Sequence, residues 1–168
     1  IEMATEVINT FAERYKKSWF EMMRKKLGLL GKDSKDENLI IDLLSWMHQN
    51  KADYTNTFCH LMGEYNKKSD IYNGTQFTLW EKKWKNRLKL NNSSIENSLK
   101  IMSKVNPLVI PRNHLVEESL KYASEMNDLS KVNELLKILQ KPYQKVSATS
   151  IYQSAPILEE NYVTYCGT

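Results

Sequence analysis

Apolar residues recur at three- and four-residue spacing in block after block of this sequence, and that period restricts the fold more than any other feature. In the first block Ile8, Phe11, Tyr15, Trp19, Met22 and Leu27 form one apolar stripe, with Arg14, Lys16, Lys17, Arg24, Lys25 and Lys26 between them. That block reads as an amphipathic helix ending near Gly28 or Gly31. Ser34 and Glu37 have capping-box spacing and open a second helix through Leu39, Ile40, Leu43, Leu44 and Met47. Asp53 to Thr57 offers several caps for a third helix through Phe58, Leu61, Met62 and Tyr65. After the loop NKKSDIYNGT, Thr75 caps a fourth helix carrying Phe77, Trp80, Trp84 and Leu88. Ser93 and Glu96 again have capping-box spacing, opening a short helix to about Lys104.

The next stretch, NPLVIPRNHLVEESL from Asn106, holds two prolines four apart. Proline lacks an N–H and pushes the residue before it toward extended geometry, so Pro107 and Pro111 predict a stiff crossing rather than a helix. Asn113 can then cap a helix through Leu115, Val116, Leu120, Ala123 and Met126, with Glu117 and Glu118 near its positive end. Arg112 can aim its guanidinium at the carbonyls that end another helix or at a neighbouring domain. Leu129 to Leu139 makes a further helix, and the short link before it predicts that the two pack antiparallel. Pro142 stops it, and periodicity is lost from Tyr143 onward. No stretch reads as a strand. The expectation is an all-α fold of six or seven helices, with a helical domain over residues 1–142 and an irregular, extended tail over 143–168.

At 168 residues, with 41% apolar and 26% charged side chains, the chain can bury a core without staples. Two cysteines, Cys59 and Cys166, are too few for a disulfide framework or a Cys-based zinc site, and they predict a reducing, cytoplasmic setting. No apolar run approaches the roughly 18 residues a membrane span requires, and no signal-peptide pattern opens the sequence. The net charge of +4 is nearly all lysine interspersed with acids, so a nucleic-acid partner is not expected. Residue 1 is Ile, and no Ser, Thr, Asp or Asn stands before the first helix to cap it. That predicts a piece cut from a longer chain, whereas ENYVTYCGT reads as a natural end.

Catalytic patterns are absent: no G-x-G-x-x-G, Walker loop, G-x-S-x-G or H-E-x-x-H occurs. Asp33-Ser34-Lys35-Asp36 fails as a calcium loop because Lys35 occupies a ligand position and no Gly or terminal Glu follows in register. Cys59-His60 lacks partners for a metal or a nucleophilic site, and Cys59 reads as a core thiol. His48 reads as a helix-end or surface residue. Trp80, Lys82, Lys83, Trp84, Lys85, Arg87 and Lys89 could stack on single strands, but a core face backed by a wet face explains them without a ligand. Asn73-Gly74-Thr75 and Asn92-Ser93-Ser94 match the glycosylation sequon by chance in an Asn-rich chain. Cys166, three residues from the end, is a redox candidate because a terminal thiol on a mobile tail can reach a second one.

Taken in order, KLGL, LIIDLLSWM, DYTNTF, WEKKWKNRL, NPLVIPRNHLVEESL, LLKILQKPY and YCGT resemble the C-terminal part of the selenoprotein O (SelO/YdiU-type) family. Asn106-Pro107, Pro111-Arg112-Asn113, Asp53-Tyr54-Thr55-Asn56 and Cys166-Gly167-Thr168 are its most specific pieces. The resemblance implies a kinase-like protein adenylyltransferase that moves AMP from ATP to Ser, Thr or Tyr of protein substrates, using Mg²⁺ or Mn²⁺. The family's nucleotide-binding and catalytic residues precede the region matched, so no catalytic, cofactor-binding or metal residue is assigned here. This segment alone is expected to carry no transferase activity. It would buttress the kinase-like domain, with Asn106, Pro107, Pro111, Arg112 and Asn113 as structural or interdomain contacts. The resemblance also implies redox regulation at the C-terminal cysteine, here Cys166, which in some relatives is selenocysteine. The other reading is a free-standing helical module that binds a protein or nucleic acid through an exposed apolar face. The reading frame upstream of Ile1 decides between them: a Gly-rich loop with kinase-like Lys and Asp favours the first, and a nearby start codon the second.

Overall fold

The computed structural model describes residues 2–65 and 70–155. Among these the chain is all helix and turn, with seven α-helices of eight or more residues, as the apolar period predicts. They are α1 (Glu2–Lys26), α2 (Asp36–Gln49), α3 (Tyr54–Leu61), α4 (Thr75–Lys89), α5 (Ile95–Val105), α6 (Asn113–Glu125) and α7 (Ser130–Leu139). A 3₁₀ turn at Asp70–Asn73 precedes α4, and a single-turn helix, α8 (Thr149–Tyr152), follows α7. The chain divides into two compact units, Ile1–Leu108 and Val109–Thr168.

In the first unit α4 packs on α2, the 3₁₀ turn and α5, while α1 packs on α2 and α5. The core draws Phe20, Met23 and Leu27 from α1, Ile40, Leu43 and Trp46 from α2, and Phe77, Trp80 and Trp84 from α4. Trp80 and Trp84, one helical turn apart, stack with ring centroids 6.2 Å apart. Each indole also finds an acceptor: Trp80 Nε1 donates to the Leu39 carbonyl and Trp84 Nε1 to the Leu27 carbonyl, both at 2.8 Å. Apolar burial and a satisfied N–H therefore come from the same side chain. Lys82, Lys85 and Lys89 are exposed, which is the core-and-wet-face arrangement expected of this helix.

Behind the tryptophans lies a buried ionic cluster. Asp36 is fully buried, and its carboxylate accepts from Arg87 Nε at 2.7 Å, Arg87 Nη2 at 3.3 Å and Arg24 Nε at 3.0 Å. The Asp33 N–H also donates to it, at 3.1 Å. Arg87 donates further to Asn91 Oδ1 at 2.9 Å and to the Leu30 carbonyl at 3.1 Å. Asn91 takes the Leu30 N–H and gives its amide hydrogens to the Gly28 carbonyl and Ser98 Oγ, all at 2.9 Å. The α1–α2 loop is thus tied to both α4 and α5.

Several expectations at helix starts need correction. Ser34 caps nothing: α2 starts at Asp36 after Lys35, and the Asp36 carboxylate is held by the arginines instead. Asp53 does cap α3, accepting from the Asn56 N–H at 2.8 Å. For α4 the N-cap is Gly74 rather than Thr75, and for α5 it is Ser94 rather than Ser93. Ser94 Oγ takes the Asn97 N–H, while Ser93 Oγ takes the Asn97 side chain. At α6 the N-cap is Arg112, so Asn113 is already the first helical residue and caps nothing.

The stripe expected on α1 is also revised. Phe20, Met23 and Leu27 make its core face, Trp19 lies half-buried at the edge, and Ile8, Phe11, Tyr15 and Met22 are exposed. At 100° per residue the two sets lie about a third of a turn apart, so α1 carries two apolar faces and the first unit covers one.

The second unit is smaller. After α6 the chain turns at Asn127, whose φ is +51°, and α7 packs back on α6. Glu118 of α6 pairs with Lys131 of α7, whose ammonium sits 4.1 Å from the Tyr122 ring centroid. Val109, Leu135 and Tyr152 are buried together, flanked by Leu115, Val116 and Ile138. Beyond Tyr143 the chain is irregular apart from α8 up to residue 155.

Gly28 and Gly31 give a direct test of how tightly the α1–α2 loop is held. Both have positive φ, +66° and +69°. A Cβ on Gly28 would lie 3.0 Å from Ser98 Cβ and the Ser98 carbonyl oxygen, whereas one on Gly31 would meet nothing within 4 Å. Gly31→Ala is expected to cost about 1 kcal/mol of left-handed strain. Gly28→Ala adds the clash and should cost at least about 1 kcal/mol more, read from urea unfolding midpoints.

Candidate functional site

The sequence concentrates its candidate contacts at the Pro107–Pro111 crossing, and the structure assigns the two ends of that crossing to different units. Asn106 closes α5 in extended geometry, with φ −108° and ψ 106°. It is almost fully buried, and Nδ2 donates to the Lys26 carbonyl at 2.9 Å while Oδ1 accepts from Lys26 Nζ at 3.1 Å. One side chain therefore terminates α1 and holds its last lysine. Lys26 Nζ also sits 4.7 Å from the Phe58 ring centroid and 5.2 Å from that of Tyr54. Burial pushes the Lys26 ammonium below its ordinary proton affinity, opposed in part by the nearby Cys59 thiol.

Pro107 is half-buried, and its carbonyl accepts from Cys59 Sγ at 3.5 Å. Cys59 is fully buried, as expected of a core thiol. A disulfide from Cys59 to any other thiol would require local opening of α3. Cys166, the redox candidate, lies outside the described residues.

In the second unit Pro111 and Asn113 are exposed, while Arg112 is buried. Arg112 Nη2 donates to the Gln153 carbonyl at 3.4 Å, at the C-terminal end of α8. His114 Nδ1 is buried without a hydrogen-bond partner among the described residues. Of these residues Asn106 and Arg112 each hydrogen-bond a helix-ending carbonyl within their own unit.

The remaining candidates sort by burial. His48 is exposed in the last turn of α2. His60 is half-buried and stacks on Tyr72, with centroids 4.0 Å apart and planes 9° from parallel. Burial lowers its proton affinity, helped by Lys85 and opposed by Glu81. Tyr72 meets Thr57 Oγ1 at 3.2 Å, and burial raises its hydroxyl to about 12. An open cleft of about 610 Å³ between α2 and α4 has Asp42 and Lys83 on its rim, already paired at 3.4 Å. Among the described residues no three His, Cys, Asp or Glu side chains converge to hold a metal ion. The buried carboxylate of Asp36 is taken up by two guanidinium groups.

Sequence reasoning missed the Asp36–Arg87 cluster and the Lys26 cradle. Arg87 had a legible signal: it lies three residues after Trp84 and seven after Trp80, on the core side of α4. Lys26 had none, since its cradle is built by α3 and the end of α5.

Comparison with known proteins now identifies the family. The family model described as protein adenylyltransferase SelO matches residues 1–140, and the chain belongs to that family. A protein nucleotidyltransferase YdiU from Pelagibacter ubique is 45% identical over the whole of this chain, which covers 35% of that relative. Namesakes from Alcanivorax borkumensis and Clostridium botulinum are 43% and 40% identical over the whole chain, which covers 35% and 34% of them. The chain therefore spans about a third of the length of these relatives. No helix among the described residues is long and apolar enough to cross a membrane.

One consequence of the His60 environment can be measured. Its proton affinity is held below the ordinary value of 6.5, so the unfolded chain takes up the proton first as pH falls. The stability contributed by neutral His60 is fully present above about pH 6.5 and is lost as pH falls from there through the lower folded-state value. Urea midpoints should fall between pH 7 and pH 5, and His60→Phe, which keeps a ring against Tyr72, should show a smaller fall. Equal falls would remove His60 as a cause.

Proposed function

We propose that this chain is the helical C-terminal part of a SelO-type protein adenylyltransferase, which in its full-length form transfers AMP from ATP to Ser, Thr or Tyr of protein substrates. The observation that carries this reading is the family match over residues 1–140, joined to relatives that this chain covers to only 35%. The buried polar side chains support a structural role: Asp36, Arg87, Asn91 and Asn106 spend their hydrogen bonds on loops and helix ends. In this reading the kinase-like domain of the same chain binds ATP with Mg²⁺ or Mn²⁺, and the present segment supports it. Cys166 is the redox candidate, a C-terminal thiol that an oxidant could couple to another thiol.

The test uses the family-length protein with ATP labelled at the α-phosphate and, separately, at the γ-phosphate. Label from the α-position is expected to enter protein substrates, with none from the γ-position. Transfer of γ-label, or of neither, would contradict adenylylation. For the redox role, Cys166→Ser should abolish any oxidant dependence of the transfer, and unchanged dependence would remove this thiol from the account.

A further inference from the structure

The face of α1 that the first unit does not cover is apolar from Val7 to Tyr15 and, past Ser18, again at Met22. Val7, Ile8, Phe11 and Tyr15 are 58%, 71%, 64% and 60% exposed, and Met22 continues the row at 36%. From Val7 to Met22 the row runs about 22 Å along the helix. Phe11 and Tyr15 stack on each other, with centroids 6.1 Å apart, and neither ring is buried. Scattered apolar residues on a surface need no explanation, but a contiguous row marks a contact surface. On one side the exposed Glu13 and Lys17 separate this row from the core face, and on the other the half-buried Trp19 lies between them.

We propose that this row is an intramolecular docking face, covered by the part of a family-length chain that lies outside residues 1–168. The inference rests on the reading of the chain as one part of a SelO-type enzyme. Two observations select that occupant. Relatives that match this chain along its entire length are about three times as long, so a large partner is available in the same polypeptide. A second copy is a poorer fit, because one helical row offers far less than the roughly 800 Å² per partner that a stable association buries. A tethered partner needs no such area, because its effective concentration is already in the millimolar range.

The test is thiol labelling of the family-length protein carrying Phe11→Cys or, as a control on the charged side of the same helix, Lys17→Cys, with modification at each position read by mass spectrometry. Both positions are exposed in the present structure. Labelling at Phe11→Cys is expected to be slower by at least about tenfold, the protection that a docked surface opening only transiently confers. Equal rates overturn the docking face. Protection that vanishes on dilution, together with dimers in sedimentation, overturns the choice of occupant in favour of a second copy. Should Phe11→Cys fail to fold by circular dichroism, hydroxyl-radical footprinting of the unsubstituted protein reads the same surface. Tyr15 should then oxidise more slowly than Tyr54, although Tyr54 is the less exposed here, at 42%; faster oxidation of Tyr15 overturns the proposal. Measuring AMP transfer on the same sample separates the two readings. Transfer without protection overturns the docking face alone, and protection without transfer supports the docking face while overturning the adenylyltransferase reading.

Discussion

A carboxylate with no solvent access has to be neutralised by its surroundings, and in this protein the first unit is organised around that requirement. Asp36 sits at the first position of α2 and takes hydrogen bonds from the guanidinium groups of Arg87 on α4 and Arg24 on α1. Arg87 in turn reaches the α1–α2 loop and Asn91, and Asn91 holds Gly28 and Leu30 of that loop and Ser98 of α5. Such a cluster adds little net stability over a well-packed apolar substitute, since desolvation consumes most of the attraction. Its use lies in geometry: a bidentate guanidinium accepts one register of α2 against α4, where apolar side chains alone would tolerate several.

The same pattern recurs wherever a polar atom enters the core. The indoles of Trp80 and Trp84 close the carbonyls of Leu39 and Leu27, and Asn106 closes that of Lys26. Each places a side chain from a later helix on the backbone of an earlier one. The C-terminal end of α1 and the start of α2 are consequently fixed by residues up to 80 positions away. The buried charged groups are committed to shape, and α1 leaves an apolar row exposed.

How far this was legible from sequence depended on the range of the interaction. The helices themselves were readable because Leu39, Ile40, Leu43 and Met47, or Phe77, Trp80, Trp84 and Leu88, repeat at a period that local physics imposes. Helix starts were readable only where the nearest cap won: Asp53 took its helix, but Gly74 displaced Thr75, and Ser94 displaced Ser93. Ser34 failed because two arginines distant in sequence claimed Asp36, two residues on, and α2 starts there. On α1 periodicity found an apolar row but not which of two rows the core would use, since Phe11 and Phe20 satisfy the same rule on different faces. At the proline crossing the extended geometry of Asn106 and an Arg112 aimed at a helix-ending carbonyl were legible; which carbonyl was not.

The central claim, that Asp36 and Arg87 set the register of the first unit as a coupled pair, is tested most directly by a double-mutant cycle in urea unfolding. Asp36→Asn alone strands Arg87 and should cost about 3–5 kcal/mol, while Asp36→Asn in an Arg87→Leu background should cost much less, giving a coupling of about 2 kcal/mol or more. Losses that add to within about 0.5 kcal/mol would show that the two side chains act independently, and would contradict the account.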